Sequence, residues 1–310
     1  MKINLANIKK AKKILNKSEC VAIPTETVYG LAGNAYSDKA CKKIFKLKKR
    51  PKNNPLIIHY YNRKNLEKDC VLNNDFIMLY KRFCPGPITF VLDLKRSSRI
   101  SKFATNSKKT LAVRFPKHPV TRNLLKKLNY PLAAPSANLS SKVSAVSSNH
   151  VRDDFGKKIK YILNGGKSSI GLESTIVDLR NNPKILRLGG LETSLIQKVL
   201  NKKISINNNP LTISSPGQFK LHYSPGIPIR LNIKKIKKNE ACLLIKKEKE
   251  TKSNYYFLSK SGNLKEAARN LYSMLRKIKK NKYKSIAVKK IPNRGLGKTI
   301  NDRLKRASKF

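Results

Sequence analysis

KKRPKNNPLIIH, residues 48–59, sets two cations against the start of a short buried strand. Pro51 stops the basic helix before it and biases Arg50 to an extended backbone. Leu56-Ile57-Ile58 is an apolar run of strand length that ends on His59. Arg50 offers planar donors suited to an oxyanion, and Lys48 offers a point charge. On local spacing alone, these are two more cations in a Lys-rich chain. The stretches on either side change that reading.

The chain has 310 residues, which suggests about two domains. At 39% hydrophobic it can build real cores, and it has no continuous apolar run of membrane-spanning length. Its first residues, MKINLANIKKAKKIL, are amphipathic and basic without an apolar signal core, so a cytoplasmic protein is expected. The cysteines Cys20, Cys41, Cys70, Cys84 and Cys242 form no CxxC, which favours reduced thiols over disulfides or a zinc site. The net charge of +52 favours anionic ligands. The excess is mostly Lys and spread along the whole chain, so composition drift accounts for it as well as a nucleic-acid patch does.

Residues 3–17 read as a helix with Ile3, Ala6, Ala11, Ile14 and Leu15 apolar, and 20–23 as a buried strand ended by Pro24. PTETVYGLAGNAY (24–36) reads as a strand-to-helix turn, and 38–49 as a basic helix with Asp38 as N-cap. Strands are expected at 56–59, 88–94, 110–115, 132–134, 161–163, 176–179 and 185–188, and helices near 63–70, 75–83 and 192–200. Two strands end on arginine, Arg114 and Arg187. Pro135-Ser136-Ala137-Asn138 puts a hydroxyl and an amide just beyond a strand, where they either hold phosphate and ribose oxygens or cap the next segment. Gly166-Lys167-Ser168 and Gly297-Lys298-Thr299 resemble the end of a P-loop. The glycine that motif needs five residues earlier is Tyr161 in one and Pro292 in the other.

Residues 207–228 are rich in Pro, Ser, Asn and Gly without period, and read as a linker. His222-Tyr223 inside it is more than a spacer needs. From 229 to 310 a compact α/β pattern restarts. Strands are expected at 241–245, 255–258 and 285–288, then a basic helix within 293–308. Before that last helix, Leu264, Ala267, Ala268, Leu271, Met274, Leu275 and Ile278 share one helical face.

Taken together, these stretches resemble the threonylcarbamoyl-adenylate synthase family, the YrdC-type fold in its long two-domain form. The residues that carry the likeness are PTETVYGL (24–31), KKRPKNNPLIIH (48–59), PGPITFVL (85–92), TLAVRFP (110–116), APSAN (134–138), STIVD (174–178), LRLG (186–189), PGQFKLHYSP (216–225) and GLGKTINDRLKRAS (295–308). They span nearly the whole chain in order. After APSAN this chain has LSSKVSAVSS where the family shows a glycine-containing stretch.

The resemblance implies a mixed α/β fold. A twisted sheet with a concave active site would fill residues 1–206. A linker or lid would follow at 207–228, and a smaller three-layer, Rossmann-like α/β domain at 229–310. It implies an enzyme that condenses L-threonine, bicarbonate and ATP, with Mg²⁺ on the ATP phosphates, to threonylcarbamoyl-AMP and pyrophosphate. A tRNA threonylcarbamoyl transferase would use the product beside the anticodon, and contact with tRNA or other RNA is a further possibility. By the same resemblance Lys48 and Arg50 are catalytic. Thr27, His59, Arg114, Ala134 and Ser174 line the threonine site. Lys48, Arg50, Asn54, Thr110, Ser136, Asn138, Ser144, Arg187 and Tyr223 surround ATP. The bottom-up chemistry agrees: three anionic substrates in one pocket demand fixed cations, and adenylyl transfer needs positioning and charge stabilisation rather than a nucleophilic side chain. The alternatives are a non-catalytic RNA-binding protein, which +52 suits, and a carbamoyl-transfer maturation enzyme, which would add zinc-finger and acylphosphatase-like modules.

Overall fold

The computed structural model describes residues 4–207, 222–248 and 252–309. Ten strands form one mixed sheet. They are β1 (Val21–Ile23), β2 (Gly30–Asn34), β3 (Ile57–His59), β4 (Ile88–Asp93), β5 (Thr110–Arg114), β6 (Leu132–Ala133), β7 (Tyr161–Ile162), β8 (Thr175–Asp178), β9 (Lys184–Arg187) and β10 (Ser205–Ile206). Their order is β10-β9-β8-β4-β5-β3-β6-β2-β1-β7. The helices among them are α1 (Leu5–Asn16), α2 (Asp38–Lys48), α3 (Arg63–Leu66), α4 (Asn74–Phe83), α5 (Lys102–Thr105), α6 (Pro119–Lys126), α7 (Ser148–Phe155) and α8 (Thr193–Leu200).

Strand alternation sorts the central strands into two faces. Ile58, Phe90, Leu92, Leu111, Val113, Val177 and Ile185 enter the main core with Phe76 and Leu79 of α4 and Ile196 and Leu200 of α8. The opposite face carries a small apolar floor of Ile57, Val91, Ala112, Ile176 and Leu186. Parallel and antiparallel pairings bring the working ends together on that second face. His59 pairs with Arg114, Arg114 with Thr89, Thr89 with Ile176, and Ile176 with Arg187.

A second sheet, β11 (Ile229–Leu231), β12 (Glu240–Lys246), β13 (Tyr255–Ser259) and β14 (Ser285–Val288), runs β11-β14-β12-β13 with every pairing parallel. Helices α9 (Leu264–Lys280) and α10 (Leu296–Ala307) pack on it. The buried face of α9 is Ala267, Ala268, Leu271, Tyr272, Leu275 and Ile278. Leu264 and Met274, expected on it, are only partly buried. The core of this unit also takes in Val28, Val143, Val146, Leu172 and Tyr223 from outside it. No helix among the described residues is long and apolar enough to cross a membrane.

Several local expectations are corrected. Residues 30–34 are strand β2, antiparallel to β1, where a turn was expected. Gly33 gives α2 its close approach there: a Cβ would lie 3.2 Å from Ala40 and Ile44. Ser37, not Asp38, caps α2, accepting from the Ala40 N–H, while Asp38 accepts from Ser101. The buried stripe of α1 is Ile8, Ala11 and Leu15, because the 3.6-residue period selects that set. Ala6 and Ile14 fall outside it, and Ile3 lies outside the described residues. Of the expected linker, 208–221 also lie outside them.

Candidate active site

Two adjoining cavities open on the working end of the sheet. One is lined by Arg50, Ile57, His59, Arg114, Ala134, Ser136, Glu173, Ser174, Arg187, His222 and Tyr223, among others. The other is lined by Lys48, Arg50, Asn54, Ser136, Asn138 and His222, with the residues flanking them. Arg50, Ser136 and His222 form the shared wall.

The fork at 48–50 is built by the end of α2. Lys49 takes a left-handed conformation and caps the helix, which turns Lys48 and Arg50 inward. Both are buried. Lys48 Nζ donates to the Ser136 carbonyl at 2.6 Å and to the Asn138 carbonyl. Arg50 Nε donates to the Asn54 carbonyl at 2.9 Å, and Nη2 donates to Asn54 Oδ1 and, at 2.9 Å, to the Pro55 carbonyl. These partners are neutral oxygens, so among the described residues no carboxylate is hydrogen-bonded to either charge. Burial, with Arg50 beside it, pushes the Lys48 ammonium well below its ordinary range. Burial, then Arg187, pushes the Arg50 guanidinium down to about 9.

Arg114 and His59 end neighbouring strands. Arg114 Nη2 donates to Glu26 Oε1 at 2.7 Å, which leaves its Nε without a partner. Burial and the nearby Arg114 hold His59 well below its usual pKa, so the ring is neutral at pH 7. Ser174 Oγ lies 2.7 Å from Thr89 Oγ1, and the Ser174 carbonyl takes Arg187 Nε at 3.1 Å and Nη2 at 2.8 Å.

Seven buried side-chain atoms lack a hydrogen-bond partner among the described residues: His59 Nδ1, Arg114 Nε, Asn138 Oδ1, His222 Nδ1, Tyr223 OH, Ser168 Oγ and Arg276 Nε. The first five belong to residues lining these two cavities. Buried polar atoms are normally satisfied, so such a concentration marks a place built for something else to bind.

The structure therefore brings Lys48, Arg50, Asn54, His59, Arg114, Ala134, Ser136, Asn138, Ser174, Arg187 and Tyr223 to the two cavities. Three expected residues line neither. Thr27 is buried with its hydroxyl 2.8 Å from Thr25 Oγ1. Ser144 is buried and donates to Glu173 Oε1 at 2.6 Å. Thr110 starts β5, on the face of Arg114 but four residues away toward Asn54. The Ala134 N–H is taken by the Ile57 carbonyl at 2.9 Å.

Sequence reasoning missed Glu26, Thr89, Glu173 and His222 as site residues. Thr89 was legible: in ITFVLD it is the polar member of an alternation shared with Val91. Glu173 had a signal too, as one of 17 acidic residues against 69 basic ones, set in the otherwise uncharged stretch GLESTIV.

A mixed sheet whose strand ends converge on a cationic, under-satisfied pocket, backed by a parallel α/β unit, defines an α/β protein with a pocket whose chemistry suits small anions. Residues 13–189 match the Sua5/YciO/YrdC family model, described as telomere recombination, and residues 191–309 match the model described as threonylcarbamoyl-AMP synthase, C-terminal domain. The chain belongs to the threonylcarbamoyl-AMP synthase family. It is 35% identical to the threonylcarbamoyl-AMP synthase of Pyrococcus abyssi and 34% identical to that of Bacillus subtilis, in each case over 98% of this chain and 94% of the relative. Its structure is similar to that of P. abyssi Sua5 complexed with L-threonine, with a TM-score of 0.91 and 34% identity over 99% of this chain and 96% of that one. E. coli YciO, at 22% identity and a TM-score of 0.55 over 60% of this chain and 90% of its own, shares the fold.

Proposed function

We propose that this protein is a nucleotidyltransferase that makes threonylcarbamoyl-AMP and pyrophosphate from L-threonine, bicarbonate and ATP. The observation that carries the reading is the set of five polar atoms with no partner among the described residues, beside two buried cations that meet neutral oxygens. Threonine's carboxylate fits Arg114, whose Nε is free while Glu26 steadies Nη2. Neutral His59 and Ser174 suit its polar groups. The triphosphate fits the second cavity, between Lys48, Arg50, Ser136 and Asn138.

The amine of threonine adds to the carbon of bicarbonate and water is lost. An oxygen of the resulting carbamate attacks the α-phosphorus, and the bond to the bridging oxygen breaks to release pyrophosphate. Charge grows on that bridging oxygen, where Lys48 and Arg50 stabilise it without reorganisation. His222 and Tyr223 wall the pocket and keep water from the carbamate and the mixed anhydride. Glu173 is the one carboxylate among the described lining residues, and both its oxygens already accept hydrogen bonds. The residues present thus fit a Mg²⁺ carried on the triphosphate rather than held by side chains. A transferase acting on the adenosine beside the tRNA anticodon consumes the product.

The test is pyrophosphate release from MgATP and bicarbonate, with and without L-threonine, beside the Lys48→Ala/Arg50→Ala variant. Threonine-dependent release that the variant loses is the expected result. Release indifferent to threonine rejects the proposal and makes salt-dependent RNA binding the next measurement.

A further inference from the structure

Arg303 lies on α10 of the second unit, on the side that packs against the first, and its contacts reach the first sheet's pocket. It is 1% exposed. Its Nε donates to Glu173 Oε2 at 3.0 Å, its Nη2 donates to the Leu188 carbonyl, and its guanidinium lies 4.7 Å from the centre of the Tyr223 ring. Glu173 also accepts from Ser144 at 2.6 Å and from Tyr272 of α9 at 2.8 Å. Tyr272 stacks on Tyr223 with ring centres 5.8 Å apart.

The segment 171–174 is thus gripped from both sides. Leu172 is buried in the core of the second unit. Gly171 has φ +77°, and a Cβ there would come within 2.6 Å of the Arg269 backbone, so α9 presses directly on this loop. On the other side the Gly190 N–H donates to the Glu173 carbonyl at 2.8 Å, and Arg187 holds the Ser174 carbonyl. Ser174 and Tyr223 both line the threonine cavity. The charge logic agrees: a pocket for anions tolerates the Glu173 carboxylate because Arg303 neutralises it.

We infer that the second α/β unit is the brace of the threonine pocket, and that Arg303 is the positioning residue through which it acts, fixing Ser174 by way of Glu173 and Tyr223 by stacking. The inference rests on reading this cavity as the threonine site.

The experiment is calorimetric titration of the full chain with L-threonine, paired with the threonine KM and kcat for pyrophosphate release. The variants are Tyr272→Phe, Arg303→Lys and Glu173→Gln/Arg303→Gln. The double variant removes the buried charge pair and leaves a shorter, neutral side chain at 303. Its threonine affinity falls about tenfold, in the usual range of site-to-site coupling, and KM rises by a similar factor while kcat changes less. Tyr272→Phe, which removes one hydroxyl, gives a few-fold loss in the same direction. Arg303→Lys fails to rescue, because an ammonium cannot bridge Glu173 and Leu188 while stacking on Tyr223; a role in charge balance alone would be rescued. Wild-type affinity in either the double variant or Tyr272→Phe overturns the inference, and Tyr272→Phe decides alone if the double variant does not fold. If the wild-type chain itself binds no threonine, the reading of the cavity fails instead. The brace is then judged by amide exchange across 172–175, which it requires to be about tenfold faster in Tyr272→Phe, and unchanged exchange overturns it.

Discussion

The protein buries two groups of cations and treats them in opposite ways. At the C-terminal end of α2, Lys48 and Arg50 meet backbone carbonyls and an amide oxygen. On α10, Arg303 meets Glu173 and Asp302, and Arg306 also meets Asp302. A buried cation without a counter-ion is expensive, and a fold keeps it where a ligand supplies the missing charge. A buried cation with its carboxylate is part of the scaffold. Arg114 stands between the two cases, with one nitrogen on Glu26 and another unpartnered. The difference separates binding machinery from brace using charge bookkeeping alone.

The largest effect that would sharpen this contrast is Lys48→Met. Threonine-dependent pyrophosphate release should fall by about 10²–10³, as when a transition-state charge stabiliser is lost, while the thermal midpoint holds or rises. A variant that loses stability and keeps activity would break the comparison. Next comes Arg303→Gln alone, which leaves Glu173 buried and unpaired. Denaturant unfolding should show a loss of about 3–5 kcal/mol, largely restored by adding Glu173→Gln. Arg114→Lys should raise the threonine KM by about tenfold to a hundredfold, the worth of a charge-assisted hydrogen bond, with a smaller stability loss than Arg303→Gln.

The smallest effect is in pH. Burial puts Arg50 at about 9 in the folded protein, below its ordinary value. Between that pH and the unfolded pKa the unfolded chain binds more protons, so the ligand-free protein gains stability as pH climbs through about 9. A bound anion removes the cost of the charged form. Stabilisation by pyrophosphate, read as a thermal shift, should therefore shrink from pH 8 to pH 10. A shift that is flat with pH would deny Arg50 its role.

Much of this was legible before folding. Lys48, Arg50, Ser136 and Asn138 stand in short, distinctive stretches, and strands β4, β5 and β9 announce themselves as apolar runs. Helices α5, α6 and α7 and strands β2, β10 and β11 went unread. Their sequences are short and mixed, so local preference alone does not announce them, and their packing on other elements decides. Strand alternation gave the face of Thr89 but not its neighbour Ser174, which is 85 residues away.

From the amino-acid order alone follow the class of fold, the family and the cations that line the two cavities, because these depend on periodicity and on residue types at fixed spacing. Which carboxylate goes with which cation emerges only on folding. Glu173 and Arg303 are 130 residues apart. Pairing between buried charges depends on which surfaces the two units press together, and no local spacing encodes that distance. The same holds for Arg114 and Glu26, and for the five polar atoms that wait without partners in the pocket.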